Sequence, residues 1–442
     1  MISSPVVLIG ELIVDVTLQT ASAPTKVRMG GVFHACRGAW AIGADWQLGY
    51  FSPSYLVPDL AELMSSHAAK GAAKIGEITG APSVMLIGDA TESGPQGYEH
   101  LLRDHAEYSF DQGALKELTD CDAEILIIAG NFDLRSVLQV LADTELRVHV
   151  DIGSGPTMLE DLKALRRPLS TLFLSTSSPA FSALAPTLPD SIHQLVDKLA
   201  EKVILKENRG GARLFFRRSV VEVGSQRRAT VHSVGVGDVF DVVYVTLAHD
   251  IGDEAALSYA SWLAAEYAGT TFPADFRKAA ERALMLKPQE ILALPSIRLP
   301  WEARPSYPIY IAAPDFDYVN RAPIDQLVEC LRYHNFSPRL PIRENGQANQ
   351  NMSVAEKQRL FEADMALLSE CSVLVAVNLF EDPGTMIEIG LAAAAGKPTI
   401  LYDPYAKAQN VMLTQLPEAV SESLEVIVTA VFDSISRVWS TQ

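Results

Sequence analysis

Short apolar, β-rich runs alternate with helix-patterned stretches along the whole chain, and that alternation leaves few folds open. The runs are PVVLIGELIVDV, EILIIAG, RVHVDIG, TLFLST and KVILKE, followed by IYIAAP, VLVAVNLF and PTILYD. Strands separated by helices can bury both faces, which points to an α/β class with parallel sheets covered by helices. The pattern breaks once. LPSIRLPWEARPSYP, residues 294–308, holds four prolines in fifteen positions. Proline lacks an amide donor and forces its predecessor into extended backbone, so the stretch reads as a stiff connector. We therefore expect a first domain over 1–295, a connector over 296–306 and a second domain over 307–442, each of ordinary domain size.

Composition narrows the function classes. The 442 residues carry a net charge of −18. That balance disfavours a nucleic-acid or anionic-membrane surface, which needs concentrated basic charge. Cys36, Cys121, Cys330 and Cys371 are scattered without a CxxC pair, and the nine histidines show no HxxH or HExxH spacing. Neither a disulfide framework nor a metal site is expected. MISSPVVLIGELIVDV has acids inside its apolar run and no basic start, so it reads as a first strand, not a signal peptide. No window is apolar enough to span a membrane. The expectation is a cytoplasmic protein.

The stretch EDPGTMIEIGLAAAAGKP, residues 381–398, follows a continuous apolar run, CSVLVAVNLF. Thr385 to Glu388 fits a capping box, in which the two side chains satisfy free amides at a helix start. A second reading is catalytic. The turn follows the carboxyl end of a buried strand, where open α/β sheets place their ligand crevice. Asp382 brings a second carboxylate there, and Asp364 lies on the helix leading into the strand.

YPIYIAAPDF (307–316), FEADMALLSECSVLVAVN (361–378), DPGTMIEIGLAAAAGKPTILYD (382–403) and NVML (410–413) occur in the order found in nucleoside 2-deoxyribosyltransferases, which this segment resembles. The resemblance implies a flavodoxin-like fold and cleavage of an N-glycosidic bond in a nucleoside or nucleotide. It assigns Glu388 as the nucleophile that forms a covalent glycosyl-enzyme at C1′, with Asp382 and Asp364 holding the base and managing its proton. Tyr310 would border the sugar, and Asn410 would reach a neighbouring subunit's site, implying a homo-oligomer. No cofactor is implied for glycosyl transfer, and a free base is a further partner. The helix dipole is expected to keep Glu388 ionised. Gly384 and Gly390 would let a flat base approach the backbone. Arg343, in LPIRENGQANQNMS (340–353), is a candidate phosphate contact, against the plainer reading of a solvated loop charge.

HSVGVGDVFDVVYV, residues 232–245, is the other informative stretch. A GxGD segment entering a helix offers backbone amides to an anion and sets Asp238 beside them. With GELIVDV (10–16), MGGVFHACRGAWAIGAD (29–45) and KVILKENRGGARLFF (202–216), it resembles the ribokinase-like (PfkB-type) sugar and nucleoside kinases. That resemblance implies a three-layer α/β/α domain with a small β lid. It makes Asp238 the base, Gly235, Val236 and Gly237 the anion hole, and Asp15, Gly30 and Gly31 the sugar site. ATP and Mg2+ would be needed if the domain is active. Departures are visible. Ser175 and Ser178 stand where the family has N-x-x-E, His232 replaces an acid, and His34 and Ala35 lie where an asparagine follows the glycine pair. Phosphoryl transfer depends on metal and charge placement.

Three functions fit. The first is a nucleoside-processing enzyme acting through Glu388, with a first domain that binds or phosphorylates a sugar or nucleoside. The second is an active kinase with a C-terminal oligomerisation or ligand-sensing module. The third is a non-catalytic nucleotide sensor.

Overall fold

The computed structural model describes residues 4–19, 24–153, 158–349 and 351–440. The chain divides into two units, one over Met1–Thr91 and Gln96–Ser296, the other over Glu92–Pro95 and Ile297–Gln442.

The first unit is built on a sheet whose central strands are parallel. In spatial order these are Lys202–Lys206, Thr171–Ser175, Val148–Asp151, Glu124–Ile128, Val6–Thr17, Trp46–Ser52 and Gly71–Thr79. Alternate side chains serve opposite faces, because strand side chains repeat every two residues. Leu8, Leu48 and Leu126 join helices Phe33–Ile42, Val236–Ile251 and Asp253–Ala268 in one core. On the other face, a Cβ added at Gly49 would meet Leu118 of helix Gln112–Leu118 and Ile9, so helices cover both sides. The strand Val6–Thr17 is twelve residues long and outruns the sheet. Its distal half pairs with Lys26–Gly31 on one side and Val84–Ile87 on the other, and Tyr98–His100 extends the row. This is the β lid, and it carries Asp15, Gly30 and Gly31.

The second unit has five parallel strands in the spatial order Pro338–Arg339, Ile309–Ala312, Val373–Val377, Thr399–Tyr402 and Ala419–Ser421. This is the flavodoxin-like arrangement, in which the chain runs outward in both directions from its first strand. Ile309, Ile311, Val373 and Val375 face helices Ala322–Tyr333 and Leu424–Trp439. Tyr310, Ala312, Leu374 and Ala376 face helices Val354–Glu370 and Pro383–Ala394. Burial on both faces explains why VLVAV is apolar without alternation. Of the connector expected over 296–306, residues 297–306 belong to this unit. Leu299 is buried in its core, and the buried Arg304 donates to the carbonyls of Leu299 at 3.2 Å and His334 at 3.1 Å. Among the described residues, no helix is long and apolar enough to cross a membrane.

Candidate active site

In the second unit the strand order reverses between Ile309–Ala312 and Val373–Val377, and open α/β sheets place their ligand crevice beyond the carboxyl ends at such a switch point. Helix Pro383–Ala394 begins there. Its N-cap is Asp382, whose Oδ2 accepts from the Thr385 amide at 2.8 Å and the Thr385 hydroxyl at 3.0 Å. Pro383 occupies the first helical position, where a missing donor is harmless. The cap therefore lies one turn before the Thr385–Glu388 box expected from the sequence. Glu388 is not needed for capping.

The Glu388 side chain turns instead to the sheet. Tyr310 Oη donates to Glu388 Oε1 at 2.7 Å. Burial pushes the Glu388 carboxyl up to about 7, Asp364 and Asp382 push it the same way, and the Tyr310 bond partly opposes them. This corrects the expectation that the helix dipole holds Glu388 ionised. Dipole influence fades beyond the first turn, and here burial among like charges outweighs it. The Tyr310 hydroxyl is raised too, by its own burial and then by Glu388 and Asp364.

Asp364 lies on helix Val354–Glu370 and accepts from Asn345 Nδ2 at 2.8 Å. Burial raises its carboxyl and the Asn345 bond opposes that. Asn345 was not singled out by sequence, because a lone asparagine in a polar loop has no motif to mark it. Gly384 and Gly390 are both exposed, and a Cβ at Gly390 would meet nothing within 4 Å. Asn410 is exposed and caps the short helix Val411–Gln415 through the Met412 amide at 2.9 Å. Among the described residues it has no bond to the Glu388 group. Arg343 is exposed, but its guanidinium is engaged by carboxylates. It pairs with the buried Asp315, with Nη2 to Oδ1 at 3.0 Å, and with Asp325 at 2.7 Å, and these bonds raise its pKa. Gln350, in the same loop, lies outside the described residues.

Residues 309–421 match the family model of nucleoside 2-deoxyribosyltransferases. Solved structures resemble the other unit. A fructokinase from Vibrio cholerae O395, in fructose, ADP and calcium ion bound form, shares 12% identity over 64% of this chain and 99% of its own, with a TM-score of 0.51. A ribokinase from Thermotoga maritima shares 16% identity over 64% of this chain and 100% of its own, with a TM-score of 0.46. At such identities the likeness speaks to fold alone. A search of curated proteins finds no match. The chain thus joins a ribokinase-like unit to a nucleoside 2-deoxyribosyltransferase-like unit.

In the ribokinase-like unit, helix Val236–Ile251 starts at Gly235, whose φ of 74° favours glycine. The Val236 amide is already used, donating to the Ser233 carbonyl at 3.2 Å, which leaves Gly235 and Gly237 of the three expected anion-hole residues. Asp238, in the first turn, is pushed up to about 7 by burial and by Asp151, with Lys206 opposing. Asp15 is fully buried, and its carboxylate lies over Gly30, where a Cβ would fall 2.2 Å from Oδ2. His34 occupies this space. Its Nε2 is 2.8 Å from Asp15 Oδ2 and its Nδ1 2.7 Å from Tyr267 Oη. Its ring so crowds Gly235 that a Cβ there would fall 2.0 Å from His34 Cγ. Burial lowers the imidazole pKa to about 4. Arg28 joins the cluster, donating to the Val234 carbonyl at 3.1 Å with His232 Nδ1 3.2 Å away. Ser178 caps the short helix Pro179–Ser182, its hydroxyl oxygen accepting from the Phe181 amide at 3.2 Å.

Proposed function

We propose that the second unit cleaves the N-glycosidic bond of a nucleoside or nucleotide through a covalent bond to Glu388. The observation that carries this reading is the Tyr310–Glu388 pair, half-buried within the electrostatic reach of Asp364 and Asp382. The transition state at C1′ has oxocarbenium character, and a carboxylate opposite the leaving base stabilises and captures it. Tyr310 engages Oε1, which leaves Oε2 for the sugar. As the Oε2–C1′ bond forms, the C1′–N bond breaks and its electron pair passes to the base. Asp364 in its acid form supplies the proton that neutralises that base, and burial shifts its carboxyl in the direction this role needs while the Asn345 bond opposes it. Asp382 holds the base beside Gly384. A second base or a water then attacks C1′ and gives its proton back to Asp364, while the C1′–Oε2 bond breaks and releases Glu388. No cofactor takes part.

A homo-oligomer fits this site. Ile387 and Leu391 are exposed one turn apart on the Glu388 helix, and Val411 and Met412 are exposed next to Asn410. Covering such apolar groups with a second copy would bring Asn410 to a neighbouring site.

The test is to incubate the protein with deoxynucleosides or nucleoside monophosphates, with and without an acceptor base. Glu388→Ala is expected to abolish cleavage, and mass spectrometry of the wild type is expected to find the sugar on the peptide containing Glu388. Full activity in Glu388→Ala would end the proposal.

For the first unit, the His34–Asp15 contact favours holding a sugar or nucleoside without phosphorylating it over an active ATP- and Mg2+-dependent kinase. ATP turnover with ribose, fructose and nucleosides, lost in Asp238→Asn, would reverse that preference.

A further inference from the structure

At the carboxyl ends of two strands of the first unit, a lysine stands inside a group of carboxylates. Oxygens of Asp151, Asp238 and Asp241 lie within 4.8 Å of one another. Asp151 ends strand Val148–Asp151, Lys206 ends Lys202–Lys206, and Asp238 and Asp241 come from helix Val236–Ile251. Three hard oxygen donors at this spacing suit magnesium or manganese. The cage already has a cation. Lys206 Nζ donates to Asp241 Oδ2 at 2.7 Å, Asp241 Oδ1 at 3.0 Å and Asp151 Oδ2 at 3.1 Å. The same ammonium lies 5.6 Å from the centroid of the Phe173 ring. A Cβ on Gly237 would fall 3.1 Å from Nζ, so the charge sits against the start of the helix.

We propose that Lys206 is the resident cation of this cage, neutralising Asp151 and Asp241 where a divalent ion would otherwise be held, so that the first unit handles its ligand without a divalent cation at this position. The charges require something of the kind. Asp241 is fully buried and Asp151 nearly so, and buried carboxylates persist only with a counter-charge and hydrogen bonds. An ammonium has three protons, and the contacts to Asp151 and Asp241 account for them. A metal ion entering the cage would have to expel a tethered cation and leave it without partners in the interior. The replacement agrees with Ser175 and Ser178, which bring no carboxylate from the intervening strand Thr171–Ser175 and the turn after it.

The test is a Mn2+ titration of the full chain, read from the electron paramagnetic resonance signal of the free ion. The wild type is expected to show no stoichiometric site. Lys206→Ala and Lys206→Gln are expected to gain one, binding at least about tenfold more tightly than the wild type. Adding Asp151→Asn is expected to remove it. A stoichiometric Mn2+ site in the wild type that Asp151→Asn abolishes overturns the proposal, and that arm needs no lysine variant. Folded Lys206→Ala and Lys206→Gln that bind no more tightly than the wild type overturn it equally. Because no arm reads glycosidic cleavage, the result is independent of Glu388.

Discussion

Tyr310 and Glu388 meet at 2.7 Å, joining the first strand of the second unit to the second turn of a helix 78 positions later. The tyrosine hydroxyl favours the ionised carboxylate, while burial favours the protonated one. With the carboxyl near 7, the nucleophilic form grows as pH rises through neutrality. Tyr310→Phe keeps the ring and deletes the donor, so the ascending limb of the pH–rate profile is expected to move to higher pH. The maximal rate is expected to fall about tenfold, equivalent to about 1.4 kcal/mol of barrier. An unmoved limb would separate Tyr310 from the ionisation of Glu388.

The same carboxyl links pH to stability. Its folded pKa, about 7, lies above the ordinary value of 4.5. Its contribution is therefore complete below about 4.5 and is lost as pH rises through 7. Glu388→Gln avoids the cost of a buried charge. Thermal melts are expected to match the wild type at acid pH and to show greater stability at pH ~8, by up to about 3 kcal/mol. A lower melting temperature at both pH values would contradict this.

Arg343 is expected to act on stability, not on substrate choice. Its guanidinium bridges Asp315 and Asp325, and Asp315 is buried. Arg343→Gln leaves that acid with Arg321, 3.9 Å away, as its other charged neighbour. A loss of about 1 kcal/mol is expected, because the arginine is partly exposed and solvent screens its pairs. The ratio of kcat/KM for a nucleoside and its monophosphate should stay unchanged. A selective loss on the monophosphate would restore the phosphate role.

His34 offers a test in the first unit. Its pKa of about 4 lies below the ordinary 6.5, so the folded chain binds fewer protons than the unfolded chain between those values, and stability rises with pH across that window. His34→Asn is expected to flatten that rise. It should also free Asp15, so that ribose or adenosine raises the melting temperature of the variant more than that of the wild type. Equal stabilisation of both would show that the pocket was open already.

Several features were legible without coordinates. Strand–helix alternation announced two α/β units. The GTMIE turn marked Glu388, the residue that the structure sets against Tyr310, and the GVGD turn marked the start of a helix. Less legible was which of two compatible jobs a residue performs. Thr385 and Glu388 have capping spacing, yet Asp382 takes the cap, because one side chain three residues earlier satisfies the same amide. Residues 297–306 have a connector's prolines, yet Leu299 and Arg304 are buried in a core whose need for them no local pattern records. Arg343 found carboxylates from two other segments.

Periodicity and turn chemistry are local, so the order of residues alone determined the elements, their class and the two helix starts where chemistry is concentrated. Tertiary structure decided what those starts contain. Lys206 among Asp151 and Asp241, and His34 against Asp15, come from segments 19 to 55 positions apart. Their pairing depends on burial, since only in a low-dielectric interior must a carboxylate find its partner among the chain's own side chains.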